Sequence, residues 1–348
     1  MNAERRAGRR VGVAGGRGES PSGETSRRAR PRRSRRPVLA VDIGGTKLAV
    51  GLVEPGGRIA ASDRVRTPQG QGVDAETLWR TVEALVDSTV AEAGSGGPAG
   101  VGVGCSGPMR WPEGTVSPLN IPAWRDFPLR ERVHKHVPDV PVRLHNDAVC
   151  MAVGEHWRGA GRGCANMLGM VVSTGVGGGL VLGGRLVDGV SGNAGHVGHI
   201  VVEPDGPACP CGGRGCLEAV ARGPGIAAWA QKQGWRKEAR WVGGQDLAAD
   251  AARGHPIAIR ALRRAGHAIG VAIASATHLC DLEVVSVGGG LSRAGPLLFD
   301  SLEDALREHL AMHFARGVRV VPAALGQDAG LMGAAALVLA GDRYWNGD

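Results

Sequence analysis

Between Gly195 and Glu218 the chain reads GHVGHIVVEPDGPACPCGGRGCLE. Within it His199, Cys209, Cys211 and Cys216 follow one another as H-x9-C-x-C-x4-C. Three thiolates and an imidazole are the donor set of a closed tetrahedral zinc site. Protein fills all four positions, so the ion's work there is structural: it pins a Pro- and Gly-rich loop that carries His196 and Glu218 toward polar chemistry. Disulfides are the competing use of these thiols. They are disfavoured because Cys209 and Cys211 sit too close to pair easily, and because seven cysteines without a secretory leader point to a reducing cytoplasm. Cys105, Cys150, Cys164 and Cys280 lie in apolar segments and read as small buried side chains.

Two glycine turns are candidates for phosphate binding. DIGGTK, Asp42 to Lys47, and STGVGGG, Ser173 to Gly179, each place successive backbone N–H groups at a strand end, where they can surround an anion. Neither is a G-x4-G-K-[ST] loop, and one such turn alone reads equally well as a plain hairpin. Two at matching places point to one shared cleft. GVGCSG, Gly102 to Gly107, matches G-x-G-x-x-G in form only: PMRWPEG follows it and cannot start the helix a dinucleotide site needs. HND, His145 to Asp147, ends a strand. A carboxylate there can accept a hydroxyl proton, and Asn or Asp there can equally cap the helix that follows. VVSVGGG, Val284 to Gly290, ends in glycines that either turn tightly or let a flat ring approach the backbone.

These pieces need strands to present them. PVLAVDIGGTKLAVGLVEPGGRIAAS reads as a hairpin leading to a third strand. AETLWRTVEALVDSTVAEAG repeats its apolar residues near every 3.6 positions and ends in Gly, so it is a helix. AGVGVGCSG is a short strand, and VPVRLHNDAVCMAVGEHW a strand passing into a helix. The pattern then restarts with ANMLGMVVSTGVGGGLVLGGRLVDGVSG, again strand, turn, strand, turn, strand. Helices near 224–231 and 258–279 follow, then the strand DLEVVSVGGGLS, the helix PLLFDSLEDALREHLA, the strand GVRVVPAAL and the helix DAGLMGAAALVLA. A three-stranded unit followed by αβ elements thus occurs twice, which predicts an α/β protein of two lobes around a cleft.

The net charge of +8 is concentrated at one end. Residues 1–36 hold twelve Arg against three Glu, so the rest of the chain is close to neutral. That segment lacks apolar periodicity and reads as a disordered tail, not a leader and too little for a folded DNA-binding domain. No apolar run approaches the roughly 18 residues of a membrane span.

DIGGTK, STGVGGGLVLGGRLVDGVSGNAGHVGH and CPCGGRGCLE together resemble the ROK family of sugar kinases and repressors, over about residues 38–342. The resemblance implies two ribonuclease-H-like lobes of the actin/hexokinase-like kind: a small lobe 37–146 rejoined by the final helix near 328–342, and a large lobe 147–327 bearing the zinc knuckle 199–216. It implies Asp147 as general base and Gly107, Asn120, Asn146, His196, His199 and Glu218 around a hexose. ATP phosphates would meet Gly44, Gly45, Thr46, Lys47, Thr174 and Gly175, with Asp42 near Mg²⁺ and Gly288 to Gly290 near the adenine nucleoside. The expected reaction is phosphorylation of glucose at its 6-hydroxyl, with lobe closure excluding water. A kinase of mannose, allose or an N-acetylated hexosamine, a polyphosphate donor, and a transcriptional regulator are the alternatives. The family's usual E-x-G-H reads HVGH here, so His196 replaces a Glu that holds sugar hydroxyls. The protein is expected to be a homo-oligomer, dimer or tetramer, binding neither membrane nor specific nucleic acid.

Overall fold

The computed structural model describes residues 36–70, 72–94, 96–236 and 243–347. The Arg-rich segment read as a disordered tail lies, up to residue 35, outside the described residues.

The first sheet contains β1 (Val38–Ile43), β2 (Lys47–Val53), β3 (Ile59–Arg66), β4 (Val101–Cys105) and, after the two-residue strands β5 (Met109–Arg110) and β6 (Thr115–Val116), β7 (Val142–Asn146). Its order is β3-β2-β1-β4-β7, antiparallel across β1, β2 and β3 and parallel from β1 through β4 to β7. The second sheet uses β8 (Met167–Val172), β9 (Val176–Leu182), β10 (Arg185–Leu186), β11 (Val284–Gly288) and β12 (Arg319–Pro322). Its order, β10-β9-β8-β11-β12, repeats the first sheet strand for strand and direction for direction. The duplication legible in the sequence is therefore a duplication of topology.

Helices α1 (Ala75–Ala91) and α2 (Leu129–His136) cover the first sheet, and α3 (Asp147–Arg158) follows β7. Then come α4 (Leu217–Ala221), α5 (Gly223–Lys232), α6 (Gly244–Ala252), α7 (Pro256–Cys280) and α8 (Pro296–His309) on the second sheet, and α9 (Ala329–Leu339) and α10 (Gly341–Tyr344) at the end. Strand β1 shows why its sequence is apolar throughout rather than alternating. Leu39, Val41 and Ile43 pack with Trp79, Val82 and Trp124 in one core, while Val38 and Ala40 pack with Leu331 and Ala334 in another. A strand covered on both faces has no polar side to show. Within the first core Trp124 stacks on Phe127 with ring centroids 4.4 Å apart. A third core joins Trp235, Leu247, Leu262, Ile269 and Leu302 to β8 and β11.

Between the sheets lie α3 and α9, and each crosses over. Helix α3 leaves the first sheet at β7 and packs on β8 and β9 of the second; α9 leaves the second sheet at β12 and packs on β1 and β4 of the first. The two helices pack closely because small residues line the crossing. A Cβ on Gly333 would overlap the Cys150 carbonyl, and one on Gly154 would overlap that of Ala329. This crossing brings the first residues of α3 to the place where the two sheets meet.

Candidate active site

Asn146 and Asp147 divide the two roles the sequence left open. Asn146 is the cap of α3: its Oδ1 accepts the Ala148 N–H at 2.9 Å. Asp147 is the first helical residue, and its Oδ1 accepts the same N–H at 2.8 Å. Its Oδ2 accepts the Ser106 hydroxyl at 2.7 Å, and Ser106 Oγ in turn accepts from Asn120 Nδ2 at 3.1 Å. The hydroxyl has one hydrogen, so the chain runs in one direction, from Asn120 through Ser106 to Asp147. Burial raises the Asp147 pKa, and the bonds from Ser106 and from main-chain N–H groups oppose the rise.

Of the residues that the resemblance assigns to a sugar, Gly107, Asn120, Asn146 and His196 lie together near this carboxylate, whereas Glu218 lies at the second glycine turn and His199 among the cysteines. A Cβ on Gly107 would stand 2.8 Å from Asn146 Nδ2 and 3.9 Å from the His196 ring, so Gly107, Asn146 and His196 share one wall. His196 Nε2 lies 3.4 Å from Asn193 Oδ1, and Asn193 Nδ2 donates to the Met109 carbonyl at 3.2 Å. The loop before His196 thereby reaches across to the separate two-stranded hairpin of β5 and β6. Burial lowers the His196 pKa, with His199 adding to the shift and Glu218 opposing it, so the ring is neutral at neutral pH.

The DIGGTK turn stands beside this wall. Gly45 lies against Asn120, 2.8 Å from where a Cβ would sit. The Gly44 N–H closes the turn on the Lys47 carbonyl at 3.0 Å, so amides offered there to an anion come from Gly45 and Thr46. Thr67 Oγ1 holds the Gly44 carbonyl at 2.6 Å, and Gln69 holds that of Gly45. Neither Thr67 nor Gln69 was marked by the sequence. Asp42 lies where Gly330, in the first turn of α9, leaves space for its carboxylate. Its pKa is pushed up to about 6 by burial and by the Asp147 charge, with Lys47 and Arg64 pulling the other way. Two half-buried carboxylates that repel one another suit a hard cation between or beside them, and oxygen donors are what Mg²⁺ selects.

The second turn abuts the start of α3 from the other side, with Gly177 against Ala148. Here Glu218, on α4, has a task that the sequence did not disclose. Its Oε2 accepts the Val176 N–H at 2.9 Å and lies against Gly175, so it braces the turn. Thr174 at the tip is exposed. Gly289 packs on the Val172 carbonyl and Gly290 faces Ser173 Oγ, which joins the end of β11 to this turn. The two turns are thus linked through the first residues of α3.

His199, Cys209, Cys211 and Cys216 come together as the spacing implied. Their ligand atoms all lie within 4.8 Å of one another. Cys209 Sγ is 3.8 Å from His199 Nδ1, and Cys211 Sγ is 3.8 Å from Cys216 Sγ. A tetrahedron with metal–sulfur arms of about 2.3 Å has edges of about 3.8 Å, so the donors fit zinc in kind and in spacing. Burial, followed by hydrogen bonding to Cys211 and Cys209, pushes the Cys216 pKa up to about 12, while the Gly213 N–H lowers that of Cys211. None of the seven cysteines is in a disulfide.

Two repeated mixed sheets, with a half-buried carboxylate at their junction and a glycine turn from each sheet beside it, define an α/β protein of duplicated sheet topology. Within that class the chain belongs to the ROK family, whose profile matches residues 38–340. It is 36% identical over 314 residues to the glucokinase of Thermotoga maritima, covering 86% of this chain and 96% of the relative. It is also 36% identical over 300 residues to the N-acetylmannosamine kinase of Shigella boydii, covering 86% and 97%. A ROK family glucokinase from Streptomyces griseus, solved in complex with glucose and AMPPNP, superposes with a TM-score of 0.73 at 33% identity, covering 86% and 98%. Among the described residues no helix is long and apolar enough to cross a membrane.

Proposed function

We propose that the protein is an ATP-dependent hexose kinase that phosphorylates the 6-hydroxyl of glucose. The observation that carries this reading is the placement of Asp147: half-buried, oriented by Ser106, walled by Gly107, Asn120, Asn146 and His196, and flanked by two glycine turns. In the transfer the hydroxyl oxygen attacks the γ-phosphorus, its proton passes to Asp147, and the bond to the departing ADP breaks. The ordered path Asn120–Ser106–Asp147 leaves the carboxylate free to accept, because Ser106 donates to it and takes nothing from it. The Gly45 and Thr46 amides, the Lys47 charge and the turn braced by Glu218 serve the phosphates. Asp42 would hold Mg²⁺, which would supply charge neutralisation to the phosphates.

Zinc at His199, Cys209, Cys211 and Cys216 is proposed as structural. The His199 N–H bonds to the His196 carbonyl at 3.0 Å, and Cys216 immediately precedes α4, so the knuckle supports both His196 and Glu218. Seven unpaired thiols support a cytoplasmic site of action.

A second acceptor, N-acetylmannosamine, is supported by the 36% identical N-acetylmannosamine kinase, and His196 leaves the choice of sugar open. A carboxylate at this place accepts from two hydroxyls, whereas a neutral imidazole offers one donor and one acceptor. Steady-state kinetics with ATP and a panel of glucose, mannose and N-acetylmannosamine test both readings. Highest kcat/KM with glucose supports the first and with N-acetylmannosamine the second. No turnover with any hexose overturns the kinase assignment.

A further inference from the structure

His145 opens the HND triplet and takes no part in the chemistry above, yet it is wholly buried and engaged at both ring nitrogens. Its Nδ1 accepts the main-chain N–H of Asn146 at 2.8 Å, and its Nε2 lies 3.0 Å from Asp188 Oδ1. A ring nitrogen that accepts an amide N–H carries no proton, so the ring proton is on Nε2 and is donated to Asp188. Asp188 is 7% exposed. Its second carboxylate oxygen accepts from Asn346 Nδ2, and its main-chain carbonyl accepts the Ala194 N–H at 3.0 Å. Ala194 lies between Asn193 and His196, the residues that reach the sugar wall. Gly192 of the same loop seats on the Trp111 ring.

A desolvated carboxylate and imidazole seldom add stability over an apolar pair of similar volume, so their presence points to geometry. The pair joins two elements that chemistry needs in register. One is the main chain at Asn146, which sets the start of α3 and therefore Asp147. The other is the loop from Asp188 to His196, which belongs to the second sheet's segment of the chain. We infer that His145 and Asp188 are positioning residues that hold the general base and the sugar-selecting loop in one fixed relation. The inference rests on the reading of Asp147 and His196 as substrate-facing groups.

Three substitutions take the device apart. His145→Asn keeps an acceptor near the place of Nδ1 and is too short to reach Asp188. His145→Gln reaches Asp188 and offers no acceptor at the δ position. Asp188→Asn puts an N–H where either His145 or Asn346 needs an acceptor. In folded full-length variants we expect kcat to fall and the sugar KM to rise, by about ten- to a hundredfold in kcat/KM, the scale of a misplacement near 1 Å. The ATP KM should stay within about twofold, because neither glycine turn is touched. Parental kcat and sugar KM in folded variants overturn the inference. So does an ATP KM that rises in step with the sugar KM, which marks general loosening.

Should the variants fail to fold, the unsubstituted chain decides. With ¹⁵N-labelled histidine at neutral pH, the His145 ring must show a protonated Nε2 and a bare Nδ1, and the opposite tautomer overturns the inference. Asp147→Asn is assayed alongside. Parental turnover in that variant overturns the assignment of the base, and with it the catalytic half of this inference, even where the tautomer is as expected.

Discussion

Asp147 and Asp42 are carboxylates held away from water, and their titration separates activity from stability. Each binds its proton more tightly in the folded chain than in the unfolded one. Their contribution therefore favours folding at low pH and is lost as pH rises through the folded value, about 6 for Asp42. On the proposed mechanism activity runs the other way, since Asp147 would have to be ionised to take the hydroxyl proton. As pH falls through about 6 for Asp42 the ligand-free protein should gain from these two groups while kcat/KM declines with acid, which paired melting curves and pH–rate profiles will reveal. Asp147→Asn keeps the shape and loses the acceptor, so kcat should drop by about 10²–10⁴ with the sugar Kd little altered; calorimetric binding together with turnover separates the two. Asp42→Asn removes a charge that is costly without a cation. At pH 7.5 the ligand-free variant should melt at or slightly above the parent, with the gap closing by pH 5, and a clear loss of Tm at pH 7.5 would contradict the role given to burial.

At the scale of elements, the knuckle matters through what it holds. Cys216 occupies the N-cap position of α4, and two residues later Glu218 braces the second glycine turn. Loss of the ion should loosen α4 and the turn together. Elemental analysis should find one zinc per chain. Cys216→Ser should lose it, lower Tm by several degrees, and reduce kcat/KM by about ten- to a hundredfold; a zinc-free variant with parental kinetics would detach the knuckle from catalysis. Such devices were legible because they are local: a C-x-C pair or a Gly-Gly turn announces itself within a few residues, and the central strands β1, β4 and β11 were legible because they are apolar on both faces. Helix α2 was not, because LRERVHKH is mostly polar and buries only Leu129 and Val133. Helix α6, GQDLAADAA, was missed because it starts in Gly and buries only Leu247 and Ala251. Within the site, Ser106 was passed over inside a rejected nucleotide motif. His145 and Asp188 meet across 43 positions of sequence, and only the pairing of β7 with β4 and the course of the loop after β10 bring them together.

The whole molecule depends on how two like sheets are joined, and α3 and α9 are the joint. Each begins near a carboxylate of the site, α3 at Asp147 and α9 beside Asp42, so the crossing that unites the sheets also sets the distance between those two groups. Arg64 of β3 pairs with Asp328 just before α9, which anchors that helix to the first sheet. The other end of the crossing is held by Glu155, fully buried on α3. Its Oε2 accepts the N–H groups of Ala160 at 2.8 Å and Ala324 at 3.0 Å, and its Oε1 that of Leu325 at 2.8 Å. One side chain thus fastens the end of α3 to the segment between β12 and α9, the two places where the chain passes from one sheet to the other. Glu155→Ala leaves three amide donors without their acceptor, each unsatisfied buried group costing about 1–3 kcal/mol. The variant should unfold at lower denaturant. If the joint also fixes the site, the sugar KM and ATP KM should rise together, in contrast to the sugar-only response expected of His145 and Asp188. Glu155→Gln retains one acceptor oxygen and should fall between parent and Ala. A Glu155→Ala protein with parental midpoint and parental KM for both substrates would show that packing of α3 on α9, through Gly154 and Gly333, holds the joint without the carboxylate.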